Sequence, residues 1–224
     1  MGMGIGIRDQ MAKRAAAEIK EGMVVNLGIG IPSLVPNHLS SEMNVMFHAE
    51  NGIVGMGPSP SQGEEDENLC NAGGYPVSLV SGGSYFDSAI AFGMIRRGFV
   101  DITILGALQV SEKGDLANWI VPGKKIPGMG GAMELAQKAQ KVIVLMNHTD
   151  KAGNSKIVKE CSFPLTSRGC VDMIITDMAV FHVTEEGLVL CEVFQPYTLQ
   201  QVRESTNGSF LIRDDTDKGA KMDG

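Results

Sequence analysis

Basic clusters, long apolar runs and paired cysteines are all missing from this sequence, and each absence closes off a class of function. The 224 residues carry 19 Lys+Arg against 26 Asp+Glu, a formal net charge of −7, and no Lys/Arg-rich run. Phosphate backbones require a basic face, so no nucleic acid is expected as a partner. The longest apolar stretches, residues 142–146 among them, fall far short of the roughly 20 residues that a spanning helix needs, and no membrane segment is expected. Residues 1–7 lack the basic region and apolar core of a signal peptide, which points to a soluble, cytoplasmic chain. Cys70, Cys161, Cys170 and Cys191 are dispersed with no C-x-x-C pair, and are expected to be reduced thiols, mostly buried. His38, His48, His148 and His182 are equally scattered, with no H-x-x-x-H on a helix, so no metal site is expected.

Glycine is what the sequence has in excess. Its 28 glycines include clusters at Gly28/Gly30, Gly52/Gly55/Gly57, Gly73/Gly74, Gly82/Gly83 and Gly128/Gly130/Gly131. Clustering of this kind suggests tight turns where backbone approaches a ligand, rather than a flexible linker.

Helical periodicity over residues 8–21, with Gly22 as a C-cap, is followed by a buried strand over 23–27. Pro32 suits the first turn of a helix running to 39. A second strand is predicted over 44–48, then a polar Pro/Gly-rich excursion over 57–75 and a short strand over 76–80. Ser84 is a candidate cap for a helix ending at Arg97. A strand over 101–105 precedes an extended region over 110–125 that holds the single tryptophan, Trp119. A helix over 132–141 leads into a buried strand over 142–146. Two further strands, 174–183 and 188–193, are expected to pair through Glu186-Gly187, and a terminal helix covers 198–205. The alternation defines an α/β class: a single domain over 1–213 with a largely parallel sheet flanked by helices, and a disordered tail over 214–224.

In such sheets ligands gather at the carboxyl ends of strands. Gly28-Ile29-Gly30 sits at one such end, as a tight strand-to-helix turn or as a ligand loop. It lacks the third glycine of a dinucleotide fingerprint, since Ser33 stands there, although Glu50 lies at about the spacing of a ribose-binding acid. Glu50-Asn51-Gly52 follows directly on a strand. Asn51 and Gly52 tolerate a sharp turn that leaves the carboxylate accessible with a fixed backbone, as a nucleophile requires. In isolation an ordinary turn preceded by a surface acid explains the string as well. Gly128-Met129-Gly130-Gly131-Ala132-Met133 precedes a helix and offers free N–H groups for an anion or oxyanion, or a helix cap with no ligand. Asn118-Trp119 could line a pocket or plug a core.

Taken together, Phe47-His48-Ala49-Glu50-Asn51-Gly52-Ile53-Val54-Gly55, Asn71-Ala72-Gly73, Ser84-Tyr85-Phe86-Asp87-Ser88, Gly114-Asp115-Leu116-Ala117-Asn118-Trp119 and Pro127-Gly128-Met129-Gly130-Gly131-Ala132-Met133 resemble the second (β) subunit of the family I 3-oxoacid CoA transferases. The strings keep that family's order and spacing across residues 8–212. The resemblance implies an α/β/α sandwich of the kind shared with sugar-phosphate isomerases, and a ping-pong transfer of CoA between short carboxylic acids. It implies Glu50 as the nucleophile that becomes a glutamyl-CoA thioester, and Gly131 as an oxyanion donor. Gly128 and Gly130 would shape the Gly131 loop, and Asn51, Asn118, Gly28 and Gly30 would lie near substrate or CoA. It further implies coenzyme A as a substrate with no prosthetic group, and a separate CoA-transferase α subunit as partner in an α2β2 heterotetramer. One departure is His48-Ala49, where many relatives have Gln-Ser, and it bears on which acid is accepted. Two competing readings are a sugar-phosphate isomerase-like enzyme and a non-catalytic ligand-binding subunit on the same scaffold. The Glu50-Asn51-Gly52 string and the lack of a clear Lys/Arg phosphate set speak against the first, and intact Glu50 with an intact glycine loop speaks against the second.

Overall fold

The computed structural model describes residues 4–123 and 128–212. Lys124, Lys125 and the predicted tail over 214–224 lie outside them. Helix α1 (Ile5–Ala16) places Met11, Ala12, Ala15 and Ala16 on one buried face, as their helical spacing requires. Strand β1 (Val24–Leu27) follows, then a 3-10 helix (Ile31–His38) with proline in its first turn. Strands β2 (Met46–Ala49), β3 (Ile53–Met56) and β4 (Leu79–Tyr85) lead to α2 (Ser88–Arg96) and β5 (Ile102–Gly106). Short strands β6 (Gln109–Ser111) and β7 (Leu116–Ala117) precede α3 (Ala132–Lys138) and β8 (Lys141–Leu145). The remainder comprises β9 (Ile157–Val158), β10 (Met173–Ile175), β11 (Ala179–Thr184), β12 (Gly187–Val193), α4 (Leu199–Ser205) and β13 (Phe210–Ile212).

Among the described residues ten strands form one sheet in the order β13-β12-β11-β10-β8-β5-β1-β2-β3-β4, and β7-β6-β9 form a second, smaller one. The central block from β10 to β2 is parallel throughout, while β2-β3-β4 and β10-β11-β12 are antiparallel. The expected parallel sheet therefore occupies the middle, and hairpins extend it on both sides. Buried on both faces, the central strands alternate between two cores. Val25, Ile102, Ile104, Ile143 and Leu145 pack under α1, whereas Leu105, Val142, Val144 and Ile174 pack with Ala136 of α3 and Val202 of α4. Arg14 and Lys141 both pair with Glu18, at 2.7 and 2.6 Å, and lock the end of α1 to β8. Among the described residues no helix is long and apolar enough to cross a membrane.

Several boundaries depart from the sequence reading. Ser84 does not cap a helix; it lies in β4, and the cap of α2 is Asp87, whose carboxylate accepts from the Ile90 N–H at 2.9 Å. Gly82-Gly83 is not a turn either. Gly83 and Gly55 let β4 close on β3, since a Cβ on Gly55 would sit 2.7 Å from Gly83 Cα, at a register shift in the β3-β4 pair. The strand expected over 174–183 breaks at Thr176, whose hydroxyl accepts from the N–H groups of Met178 and Ala179 at 3.1 and 3.0 Å and folds β10 back onto β11. The cysteines are less buried than expected: Cys70 is exposed and the other three are half-buried.

His148 is fully buried between two hydroxyls, with Nδ1 3.0 Å from Thr176 Oγ1 and Nε2 2.9 Å from Thr206 Oγ1. Burial pushes its pKa down to about 4, against the opposing charge of Asp177. An unfolded chain with an ordinary histidine binds protons first, so this contribution to stability is complete above about pH 6.5 and is lost as pH falls through 6.5 towards 4. Urea unfolding should show wild-type protein losing about 2 kcal/mol between pH 7 and pH 5 through this group. In His148→Gln the pH dependence over that interval should flatten.

Candidate active site

Glu50 stands one residue past the end of β2, half-buried, at the carboxyl edge of the parallel block. The turn that carries it is tightly specified. The Gly52 N–H donates to Ala49 O at 3.0 Å and the Phe86 N–H donates to Gly52 O at 3.0 Å. Gly52 has φ +123°, and a Cβ there would lie 2.0 Å from Phe86 O. Only glycine meets both demands. Asn51 is exposed and its amide donates to Cys70 O at 2.7 Å, so it ties the turn to the polar excursion rather than facing Glu50. That excursion in turn reaches the β1 loop, because a Cβ on Gly73 would come 3.1 Å from Ile29 Cγ1.

Two neighbours confine the carboxylate. From β1, the Asn26 amide nitrogen donates to Glu50 Oε2 at 3.1 Å and to His48 O at 3.1 Å. From the cap of α3, Gly131 is so close that a Cβ would stand 2.9 Å from Glu50 Cγ and 3.3 Å from Oε1. Gly128 and Gly130, at φ +100° and +57°, bend the chain into that approach. The structure thus brings Glu50 and Gly131 together from distant parts of the sequence. Helix α3 is braced on α2 by Arg96 Nη2–Glu134 Oε1 at 2.7 Å.

The other sequence candidates make local contacts of their own. Gly28 is required by packing: its N–H donates to Ile104 O at 2.8 Å, and a Cβ would stand 3.1 Å from that oxygen. Gly30 adopts φ +92° with open space around it, and caps the 3-10 helix. Asn118 Oδ1 accepts from Thr166 Oγ1 at 2.6 Å, and Trp119 Nε1 donates to Leu165 O at 3.3 Å. Both fasten the end of β7 to Leu165 and Thr166. His48 is buried and stacked on Phe86 with ring centroids 6.3 Å apart. Burial lowers its pKa, opposed by the charge of Glu50 and by the Ala91 main chain, so the ring beside the carboxylate is neutral at pH 7.

Sequence reasoning misses Asn26. Its one signal is a carboxamide in the middle of the apolar run Val24-Val25-Asn26-Leu27; a buried polar group in a central strand asks for a partner.

The fold is that of acyl-CoA transferases. A solved acyl-CoA transferase from Escherichia coli superposes with a TM-score of 0.76 over 96% of this chain at 20% identity; this chain spans 44% of that one. In sequence, the family model described as Coenzyme A transferase matches residues 8–205. A probable coenzyme A transferase β subunit of Bacillus subtilis is 60% identical over 212 residues, covering 95% of this chain and 98% of the relative. The corresponding subunit of a succinyl-CoA:3-ketoacid coenzyme A transferase of Helicobacter pylori is 50% identical over 207 residues, covering 92% and 100%. The chain belongs to the coenzyme A transferase family, among its β subunits.

The two glycines at Glu50 should separate cleanly on substitution. Gly131 has φ −79° and ψ −2°, which any residue adopts. Gly131→Ala should therefore fold normally yet push the carboxylate aside, lowering CoA-transfer turnover about 100-fold. Gly52→Ala should instead destabilise the fold by at least about 2 kcal/mol in chemical denaturation, since strained backbone and a collision with Phe86 O combine.

Proposed function

We propose that this chain is the nucleophile-bearing subunit of a 3-oxoacid CoA transferase, with Glu50 as the nucleophile. The observation that carries the reading is the confinement of one half-buried carboxylate between the Asn26 amide and the Gly131 backbone. A carboxylate so fixed has lost the freedom that a bimolecular attack must otherwise surrender. Glu50 attacks the thioester carbonyl of an acyl-CoA; the C–S bond breaks, giving a mixed anhydride and CoA thiolate. The thiolate attacks the glutamyl carbonyl and expels the first acid as its carboxylate, leaving a glutamyl-CoA thioester. A second carboxylate then reverses the two steps and departs as its CoA ester. Each attack places negative charge on a tetrahedral oxygen, and the close packing of Gly131 on Glu50 supports its N–H as a donor to that charge. No electrons change hands and every proton count balances, so the chemistry calls for no prosthetic group; coenzyme A enters as substrate.

The Helicobacter pylori relative supports succinyl-CoA and a short 3-oxo acid as the donor and acceptor class. Its designation as one of two kinds of subunit supports a separate α subunit as partner, which we take to complete the site in an α2β2 assembly. The Asn51–Cys70 and Gly73–Ile29 contacts draw the polar excursion across the strand ends beside Glu50. There it would help keep water from the thioester.

Intact-mass measurement tests the reading. The complex with the α subunit, mixed with succinyl-CoA or acetoacetyl-CoA, should gain one CoA less water on this chain. Peptide mapping should place the adduct on Glu50, and Glu50→Ala should abolish it. An adduct on the α subunit, or none with any acyl-CoA in a folded complex, would overturn the assignment.

A further inference from the structure

Helix α2 is tied to both sides of the Glu50–Gly131 approach. At its start only Phe86 and Asp87 separate it from β4. The Phe86 N–H holds Gly52 O in the turn that carries Glu50, at 3.0 Å, while Asp87 caps the helix. At its end Arg96 forks onto Glu134 of α3. Nη2 donates to Oε1 at 2.7 Å, and Nε donates to Oε1 and Oε2 at 3.2 and 3.1 Å. The guanidinium also lies over the Phe92 ring, 5.8 Å from its centroid. Glu134 sits in the first turn of α3, and Gly131 at the head of that helix packs back on Glu50. A closed ring of contacts therefore runs from the Glu50 turn through α2, the fork and α3 to Gly131, and returns to Glu50.

The fork is the directional joint in that ring. Helix α3 is only seven residues long, and its Gly131 cap makes no side-chain hydrogen bond. Leu135 packs on Ile95 and Val100, but apolar contact is non-directional and lets a short helix slide. A planar guanidinium bonded to a carboxylate fixes angle as well as distance. Stability does not account for it, since 56% of the Arg96 side chain and 31% of the Glu134 side chain are exposed, and exposed ion pairs add little.

We infer that the Arg96–Glu134 fork is a positioning clamp that sets how closely the Gly131 backbone approaches the Glu50 carboxylate. The inference rests on the nucleophilic role proposed for Glu50. Arg96 and Glu134 are positioning residues, and both act through Gly131. With the fork broken, α3 is free to shift on Ile95 and Val100, and Gly131 no longer confines the carboxylate. A Cβ on Gly131 would stand 2.9 Å from Glu50 Cγ, so a shift of about 1 Å is enough to open the contact, and misplacement on that scale costs up to about 100-fold in rate. The Arg96 hydrogen bonds hold the Glu134 carboxyl below its ordinary range, so both partners are charged at neutral pH.

The test uses the complex with the α subunit and reads kcat against KM, the rapid-quench rate of glutamyl-CoA formation, the melting temperature and the subunit ratio. Arg96→Gln and Glu134→Gln should each lower kcat and the rate of glutamyl-CoA formation about tenfold. KM, melting temperature and subunit ratio should change little. The two substitutions together should also cost about tenfold rather than 100-fold, because either one breaks the same clamp. Exchanging the partners, Arg96→Glu with Glu134→Arg, should recover most of the rate. Arg14→Gln is the contrast. It breaks the pairs to Glu18 and Glu192 beside the start of β8, and should lower the melting temperature with kcat unaltered. Should Arg96→Gln fail to fold, Glu134→Gln and the exchange carry the test. Unaltered rates, additive losses, an equal fall in Arg14→Gln, or a fall in kcat that follows loss of the α subunit would overturn the inference, while a Glu50 adduct in the wild type leaves the parent reading standing. No adduct in the wild type overturns both.

Discussion

A carboxamide buried in the centre of a parallel sheet needs every hydrogen bond satisfied, since one lost there costs about 1–3 kcal/mol. Asn26 meets that condition only if β1, β2 and β5 keep their register, because its partners come from His48, Glu50 and Thr103. A slip of one residue in either pairing would turn Asn26 to the opposite core and bring an aliphatic side chain to Glu50. The strands are held against such a slip by the two apolar faces, Val25, Ile102 and Ile104 under α1 and Leu105 and Val144 under α3. Core packing and the placement of the Glu50 carboxylate are therefore one constraint, and the helices that bury the sheet also hold the candidate site.

The glycines show how one residue type serves different physical ends around that carboxylate. Gly28 yields space to the backbone of β5, Gly52 yields space to Phe86 and adopts a left-handed φ, and Gly131 yields space to Glu50 itself. Gly131 alone of these lies against the carboxylate. Its approach depends on Gly128 and Gly130, whose positive φ values steer the loop down onto β2. The sequence comparison, at 50–60% identity, reaches as far as the kind of subunit. The fold alone, shared at 20% identity with a structure more than twice as long, says nothing of the acid carried.

Legibility in the sequence varies with how local the governing interaction is. The strands β1, β5 and β8 are readable because continuous apolar runs mark strands buried on both faces. Helix α4 is readable because Thr198 and Gln201 form a capping box within one turn. Ser84 misleads because Asp87, three residues on, offers an equally good cap, and only the pairing of β4 with β3 decides between them. The break at Thr176 is hidden in an apolar stretch that reads as one strand. Strands β6, β7 and β9, of two or three residues each, carry no periodicity and exist by mutual pairing.

By itself the sequence determined the class of the fold, the carboxylate that ends β2 and the glycine loop ahead of α3, because each is written in residues next to one another. It also determined the family, through ordered strings spread over the chain. What only the tertiary structure decided was which of these groups meet. Gly131 and Glu50 touch because parallel crossovers bring the ends of distant strands to one edge. Asn51 and Asn118, which resemblance placed near the substrate, hydrogen-bond Cys70 and Thr166. Asn26 takes the place beside Glu50 through strand register, a property of pairing that no local stretch of residues encodes.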